Sequence, residues 1–565
     1  MIHGTPYRRS TLLFAALLAA AGCSNSVEVE PAAQGGAGGG GVSGGTAGTG
    51  AELPEPDPTV QAHAPDETSV EVRFNVEADA PQLSSADAYV IASEQGPLHV
   101  AAVSAGADGR TFTLTTEKQK LGVTYQLSVD VPGEAVDGLE DSFLAADTAS
   151  FWATDFSSPH YPDYTVEAER VVVGDHCVLY VEKGYSIAGA EQSAADFDQR
   201  IFPVETTLFT GPPDFDGNDR IVILGLDGGD YYGGYFSPVN AYPEDDVYPQ
   251  WGIHSNEMEL LYINVAGAHA IDTTHVVPHE LQHLLYHERH GLQMEYFAYH
   301  DEGLAEGAVL AVNGANDYAP YHYVTDPSGA LGRGISLVNW EVGDYDQYAR
   351  AYLFWAYVAS RLGGVEGLGE IFDQDGHPEQ IGAFLASELG TDFMATYRDM
   401  LIATWVQATS GPLGFEQLVH FTGAPPTAPV GTTSLQLEPF GGALFPLAVA
   451  EVDYPGTQGP NIEYVGIDGD GNVDLDAPFD VDGGVLVALN AHLEVVDFPA
   501  EPSGPDLPAA SPSSNMTGGA PAAPQYLPPV AAHPHPTWLD PPPVHPAYRQ
   551  HLDKWREARQ RLRRR

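Results

Sequence analysis

His279-Glu280-Leu281-Gln282-His283, followed after eighteen residues by Glu302 in Asp301-Glu302-Gly303, constrains this chain more than any other feature. It fixes the inward face of one helix and the approach of a second. On a helix, residues four apart stand nearly above one another, so His279 and His283 can present their imidazoles to one ion, with Glu280 about 100° around the axis. Glu280 therefore reads as a base working beside a zinc ion that lowers the pKa of a water to about 7. The segment DEGLAEGAVLAV reads as a second helix with Leu304, Ala308 and Val309 inward, able to return the Glu302 carboxylate to the same ion.

With 21 histidines in 565 residues, the pentapeptide arises by chance in roughly one such chain in twenty, so its flanks matter. Val276, Val277, Leu281, Leu284 and Leu285 supply the apolar face of a buried helix, and His290-Gly291 a stop. Pro278 lacks a donor, which predicts that the helix begins near Thr274 to Val277, or kinks there. His287 shares the histidine face but stands about 12 Å of axial rise beyond His279, too far for one tetrahedral ion, and reads as structural or as a support to the ligands. Tyr286 and Arg289 occupy the positions where a metzincin would carry Gly and His.

At these residues the chain resembles the gluzincin peptidases, in which HExxH is followed by a glutamate on a second helix, often within Asn-Glu-Gly; Asp301 stands in place of that asparagine. The resemblance implies His279, His283 and Glu302 as zinc ligands, Glu280 as general base, and Glu306 as the carboxylate that orients a zinc histidine. The flanks NDRIVILGLDGG, YYGGYFSP, SNEMELLYIN and ARAYLFWAYVASRLGG look like the hyicolysin family of bacterial metallopeptidases, over about residues 156–410. That family resemblance implies a β-sheet subdomain and a helical subdomain around a cleft, with protein or peptide as substrate. No Gly-x-Met-Glu-Asn segment of the related zinc aminopeptidases is present, Glu257-Met258-Glu259 being only a partial echo, which favours an endopeptidase over an exopeptidase. A non-catalytic binding protein would have no need of Glu280.

Met258 to Asn264 reads as a strand, either the substrate-holding edge found at this place in gluzincins or an interior strand. Tyr345, Tyr348 and Tyr352 lie on or beside a later helix. A phenol from that region, with Tyr348 as the choice, could donate to the oxyanion, although such tyrosines also serve as core. Two acidic loops, with Asp214, Asp216 and Asn218 in the first and Asp468, Asp470 and Asn472 in the second, cluster oxygen ligands suited to calcium. Neither has the EF-hand glycine and glutamate, and both also read as ordinary acidic turns.

The fold class expected is multidomain α+β. Residues 1–23 read as an export signal: Arg8 and Arg9 precede the apolar run Leu12 to Ala21, and Ala20-Ala21-Gly22-Cys23 resembles a bacterial lipoprotein junction. The implied lipidation of Cys23, with Ser24 beside it, points to the outer membrane or cell surface of a Gram-negative bacterium. Residues 24–66, with ten glycines between Gly35 and Gly50, read as a linker. Residues 67–155 alternate at period two and resemble bacterial Ig-like or fibronectin-like sandwiches. Residues 156–410 read as the peptidase, 411–499 as a small β domain, 500–547 as a Pro-rich linker and 548–565 as a basic tail.

Apart from Cys23 only Cys177 remains, so no intramolecular disulfide is available. The net charge of −55 is uneven: the last seventeen residues hold eight of the 23 Lys and Arg against Asp553 and Glu557. The acidic bulk carries no nucleic-acid footprint, whereas HLDKWREARQRLRRR could meet anionic lipid or the protein's own acidic face, or stay solvated.

Overall fold

The computed structural model describes residues 57–498, apart from 79–80, 159–161, 230–231, 267–269, 292–296, 341–344, 430–431, 433–434, 448, 454–461 and 492–494. The signal, Cys23, the Gly-rich stretch, the Pro-rich stretch and the basic tail lie outside these residues.

Period-two burial builds the N-terminal part. In Ser69–Phe74, Val70, Val72 and Phe74 point inward while Glu71 and Arg73 face water, so one register is strongly preferred. Two four-stranded antiparallel sheets result. The first orders β1 (Val60–Asp66), β2 (Ser69–Phe74), β6 (Thr111–Thr116) and β5 (Val100–Ala105); the second orders β4 (Gly96–Leu98), β3 (Tyr89–Ser93), β7 (Thr124–Val129) and β8 (Glu140–Leu144). Their inner faces share one core that includes Val72, Leu114, Leu127 and Phe143. β1 falls within the 24–66 stretch expected as linker, and Val60 and Ala64 are buried despite the Ala and Pro around them.

A six-stranded mixed sheet follows, in the order β13 (Gly234–Phe236), β14 (Leu260–Asn264), β12 (Ile221–Leu226), β11 (Cys177–Glu182), β10 (Asp163–Val173) and β9 (Thr148–Thr154). β11, β12 and β14 pair in parallel and read as continuous apolar runs, as strands covered on both faces must. β9, within the 67–155 stretch, pairs along β10 from Thr148 to Thr154. One face, with Leu179, Ile223 and Leu261, packs on helices; the other, with Tyr180, Leu224 and Tyr262, builds a second core.

The helices are α1 (Ala190–Asp196), α2 (Phe202–Leu208), α3 (Glu244–Trp251), α4 (Val276–His290), α5 (Ala298–Asn313), α6 (Tyr318–Thr325), α7 (Tyr345–Arg361), α8 (Gly367–Phe372), α9 (Pro378–Glu388) and α10 (Phe393–Val406). α4 starts at Val276 and takes Pro278 in its first turn, where a missing donor costs little, and ends at Gly291 with φ +66°, whose N–H caps His287. A second mixed-length sheet orders β16 (Gly442–Pro446), β21 (Val485–Leu489), β18 (Glu463–Ile467) and β19 (Val473–Asp474), beside the short pairs β15 (Leu435–Leu437) with β22 (Val496–Phe498) and β17 (Glu451–Val452) with β20 (Phe479–Asp480). Residues 411–499 do not form a core of their own alone. Leu444, Val465, Val487 and Leu489 join the helical core, and buried Arg350 on α7 donates to the carbonyls of Leu331, Ile335 and Gly442 and to the Tyr397 hydroxyl.

Candidate metal centre

α4 and α5 pack side by side and bury nearly every residue they carry, so their polar side chains must find partners in each other. His279 Nε2 lies 3.2 Å and His283 Nε2 3.3 Å from Glu302 Oε2. The spacing read from the sequence thus brings both imidazoles and the later carboxylate to one point.

Each ligand candidate is held from behind. His283 Nδ1 hydrogen-bonds Asp301 Oδ1 at 2.9 Å, and His279 Nδ1 stands 3.5 Å from Glu306 Oε1. Glu306 is itself fixed by the Asn316 amide at 2.7 Å, the Tyr345 hydroxyl at 3.0 Å and His275 Nε2 at 3.3 Å. Glu306 therefore stands behind His279 without hydrogen-bonding it. Asp301 was read only as a replaced asparagine; its clue was its place one residue before Glu302.

The donor set fits a metal ion on its own chemistry. With Asp301 accepting the Nδ1 proton of His283, the neutral ring turns its Nε2 lone pair toward Glu302. Glu302 Oε2 is buried and has no hydrogen-bond donor, so lone pairs converge where a cation would satisfy all three. Two trios share His279: His279, His283 and Glu302, or His275, His279 and Glu306. The first is the better cradle, because its two imidazoles converge on one buried carboxylate oxygen that has no donor.

Without a metal the charges lean on one another. Burial, the largest influence on His279, lowers its pKa, but Glu302 and Glu306 outweigh it and raise the imidazole to about 10. The Glu302 carboxyl, which burial would push up, is held below its ordinary value chiefly by His283 and His279. Burial pushes Glu280 up. Glu205 on α2, unremarked in the sequence, is fully buried near these imidazoles with both oxygens unpartnered, and burial raises it well above the usual carboxylate range.

Tyr348 donates to Glu302 Oε1 at 3.2 Å and stays protonated, its pKa raised by burial and then by Glu302. In this arrangement it secures a ligand, and the hydroxyl would have to leave Glu302 to reach a substrate oxygen. His287 is buried beside Tyr242, its Nε2 3.3 Å from that hydroxyl, and takes no part in the cradle. β14 is interior; the strand at the edge is β13, and a Cβ on its Gly234 would sit 3.2 Å from Glu280 Cγ. On α5, Gly303 faces α7, where a Cβ would lie 2.5 Å from Trp355 Cδ1 and 2.9 Å from the Ala351 carbonyl carbon.

Of the acidic loops, Asp214 and Asp216 join Glu259 in a tight group, whereas Asn218 is committed to Asp216 and to the Arg220 amide. Burial pushes Asp216 up to about 7 and Glu259 up to about 8. In the second loop Asp468 accepts from the backbone of Asp470 and Asn472, both at 2.9 Å, as a turn-capping aspartate does. Cys177 is buried and its thiol is pushed up to about 12 by that burial.

No family model and no curated protein matches the chain. Among solved structures, the N-terminal part of the bacterial S-layer protein SbsC aligns at 20% identity over 18% of this chain and 26% of that one, with a TM-score of 0.15. Domains 1–6 of the same surface-layer protein align at 21% identity over 18% and 16%, with a TM-score of 0.16. Native yeast LTA4 hydrolase aligns at 10% identity over 66% of this chain and 69% of that chain, with a TM-score of 0.26. This chain spans about a quarter or less of the S-layer chains. Alignments this loose do not bear on the site, which rests on its own geometry.

Proposed function

We propose that the chain is a zinc-dependent peptidase of the gluzincin type, with His279, His283 and Glu302 as ligands. The observation that carries this reading is the unpartnered Glu302 Oε2 facing both Nε2 atoms. Zinc held there would lower the pKa of a water to about 7 and polarise the scissile carbonyl.

The chain's own residues divide the remaining work. Glu280 takes a proton from the attacking water as the new C–O bond forms, then delivers it to the amine nitrogen as the C–N bond breaks. Asp301, accepting from Nδ1 of His283, turns that ring's Nε2 toward Glu302, Glu306 stands 3.5 Å behind His279, and Tyr348 holds Glu302.

The edge strand supports an extended peptide as substrate. Gly233 accepts from the Asn264 amide, so by antiparallel alternation Gly234 and Phe236 turn their backbone groups away from the sheet. Those groups can bind the main chain of a ligand beside Glu280, at the place where Gly234 lets the backbone come close. An endopeptidase is the finer reading. Metal analysis with digestion of denatured casein and of N-terminally blocked peptides tests it: one zinc per chain and internal cleavage are expected, and trimming of free-amine substrates alone would make the enzyme an exopeptidase.

We further propose that Cys23 carries a lipid that anchors the chain at a bacterial envelope surface, with protein or peptide as its substrate there. Cys23→Ala should move the protein from the membrane fraction to the soluble one; unchanged membrane association refutes the anchor.

A further inference from the structure

Away from the imidazoles, the structure gathers a second set of metal-competent groups. Asp214 and Asp216 lie on the loop before β12, and Glu259 is the residue that leads into β14. One carboxylate oxygen from each lies within 4.8 Å of the others. Three carboxylates so close repel unless a cation or protons separate them.

Glu259 distinguishes this group from an acidic turn. It is 2% exposed; its Oε1 accepts the Phe215 amide, while its Oε2 is buried with no donor at all. A buried carboxylate oxygen left unpaired is costly, and neither nearby lysine relieves it. Lys120 Nζ is bonded to the Gly217 carbonyl at 3.1 Å, and Lys118 Nζ pairs with Glu67 at 3.0 Å. The loop is folded around the group: Asp214 Oδ1 accepts the Asp219 amide at 3.1 Å and Asp216 Oδ1 the Asn218 amide at 3.0 Å.

An all-oxygen, three-carboxylate set without nitrogen or sulfur selects a hard cation. Calcium takes about six to eight oxygens in flexible geometry and so accepts three carboxylates brought together by a loop and a strand, whereas magnesium demands a near-ideal octahedron and keeps several of its waters. We propose that Asp214, Asp216 and Glu259 bind a calcium ion that ties the 214–219 loop to the start of β14. This inference does not depend on the zinc reading. Because β14 runs beside β13 and β13 lies against α4, the ion would stiffen the sheet under the catalytic helix without touching substrate.

The test uses the full chain loaded with zinc, dialysed free of calcium and titrated with calcium or magnesium chloride, while bound ions are counted and the melting temperature is recorded. One calcium per chain is expected, with magnesium at least about 10-fold weaker and a rise of a few degrees in melting temperature at saturation. Glu259→Gln should weaken calcium binding at least about 10-fold. Should that buried variant fail to fold, the exposed Asp214→Asn must show the same direction, and Asp468→Asn must bind as the parent does. Absence of calcium binding at millimolar concentration, parental affinity in Asp214→Asn, or loss of the ion in Asp468→Asn overturns the proposal.

Discussion

The N-terminal sheet pair and the α4–α5 helix pair bury their residues on opposite principles. Among the described residues from 60 to 145, Thr116 and Gln119 are the buried polar side chains. α4 and α5 together bury ten polar or charged ones, from His279 to Glu306. Apolar burial stabilises at about 25 cal/mol per Å² and demands little of its neighbours, whereas each buried charge demands a partner at a set distance. The sheet pair is therefore organised by its pattern alone, and the helix pair by a network of mutually partnered charges.

That contrast can be broken at Glu280. Glu280→Gln keeps the shape and removes a buried acid, so the melting temperature should not fall while zinc stays bound. Turnover should drop by about 10²–10⁴-fold, the scale of a lost general base. Full activity in this variant would mean that the buried acid is structural after all. Leu114→Ala on β6 tests the other side: with Leu114 fully buried, the sheet pair should lose about 2–5 kcal/mol, seen as a lower denaturant midpoint, with zinc content and turnover intact. Loss of zinc there would show that the two regions are not independent.

Asp301→Asn probes the network more gently. The hydrogen bond to His283 Nδ1 would no longer come from a charged acceptor, and zinc affinity should fall about 10–100-fold by competition with a chromogenic chelator. Proton release offers a further test. In the metal-free centre the neighbouring carboxylates raise both His279 and His283 above the ordinary imidazole value, so zinc must compete with protons for them. Affinity should consequently fall as pH is lowered from 8 to 6. A flat profile would mean that the imidazoles are already neutral before zinc arrives.

How much of this was legible in the sequence follows the same divide. A helix repeats its geometry, so the spacing of His279 and His283 put two imidazoles on one face, while the parts of Glu302 and Glu306 were implied by the gluzincin resemblance. Asp301 escaped because its partner, His283, is a tertiary neighbour eighteen residues away and its own position was read through the asparagine it replaces. Glu259 escaped for a similar reason: Asp-x-Asp-x-Asn is a visible local pattern, while the glutamate that completes the group comes from another strand. Strand membership is less legible. β1 hides behind Ala and Pro in VQAHAPD, and β9 alternates like the strands before it although it pairs with β10 in the next sheet. Period two reveals a strand and its buried face, but not which sheet it joins.

Gly303 carries a consequence that concerns tolerances rather than reactivity. The residue after Glu302 has no side chain, and that gap lets α5 seat against Trp355 and the Ala351 backbone of α7. A single methyl group there would act as a shim, lifting one helix off the other and carrying the Glu302 carboxylate with it, although no atom that meets metal or substrate had changed. The gauge of the centre is kept by an empty place between two backbones, one residue away from the chemistry it calibrates.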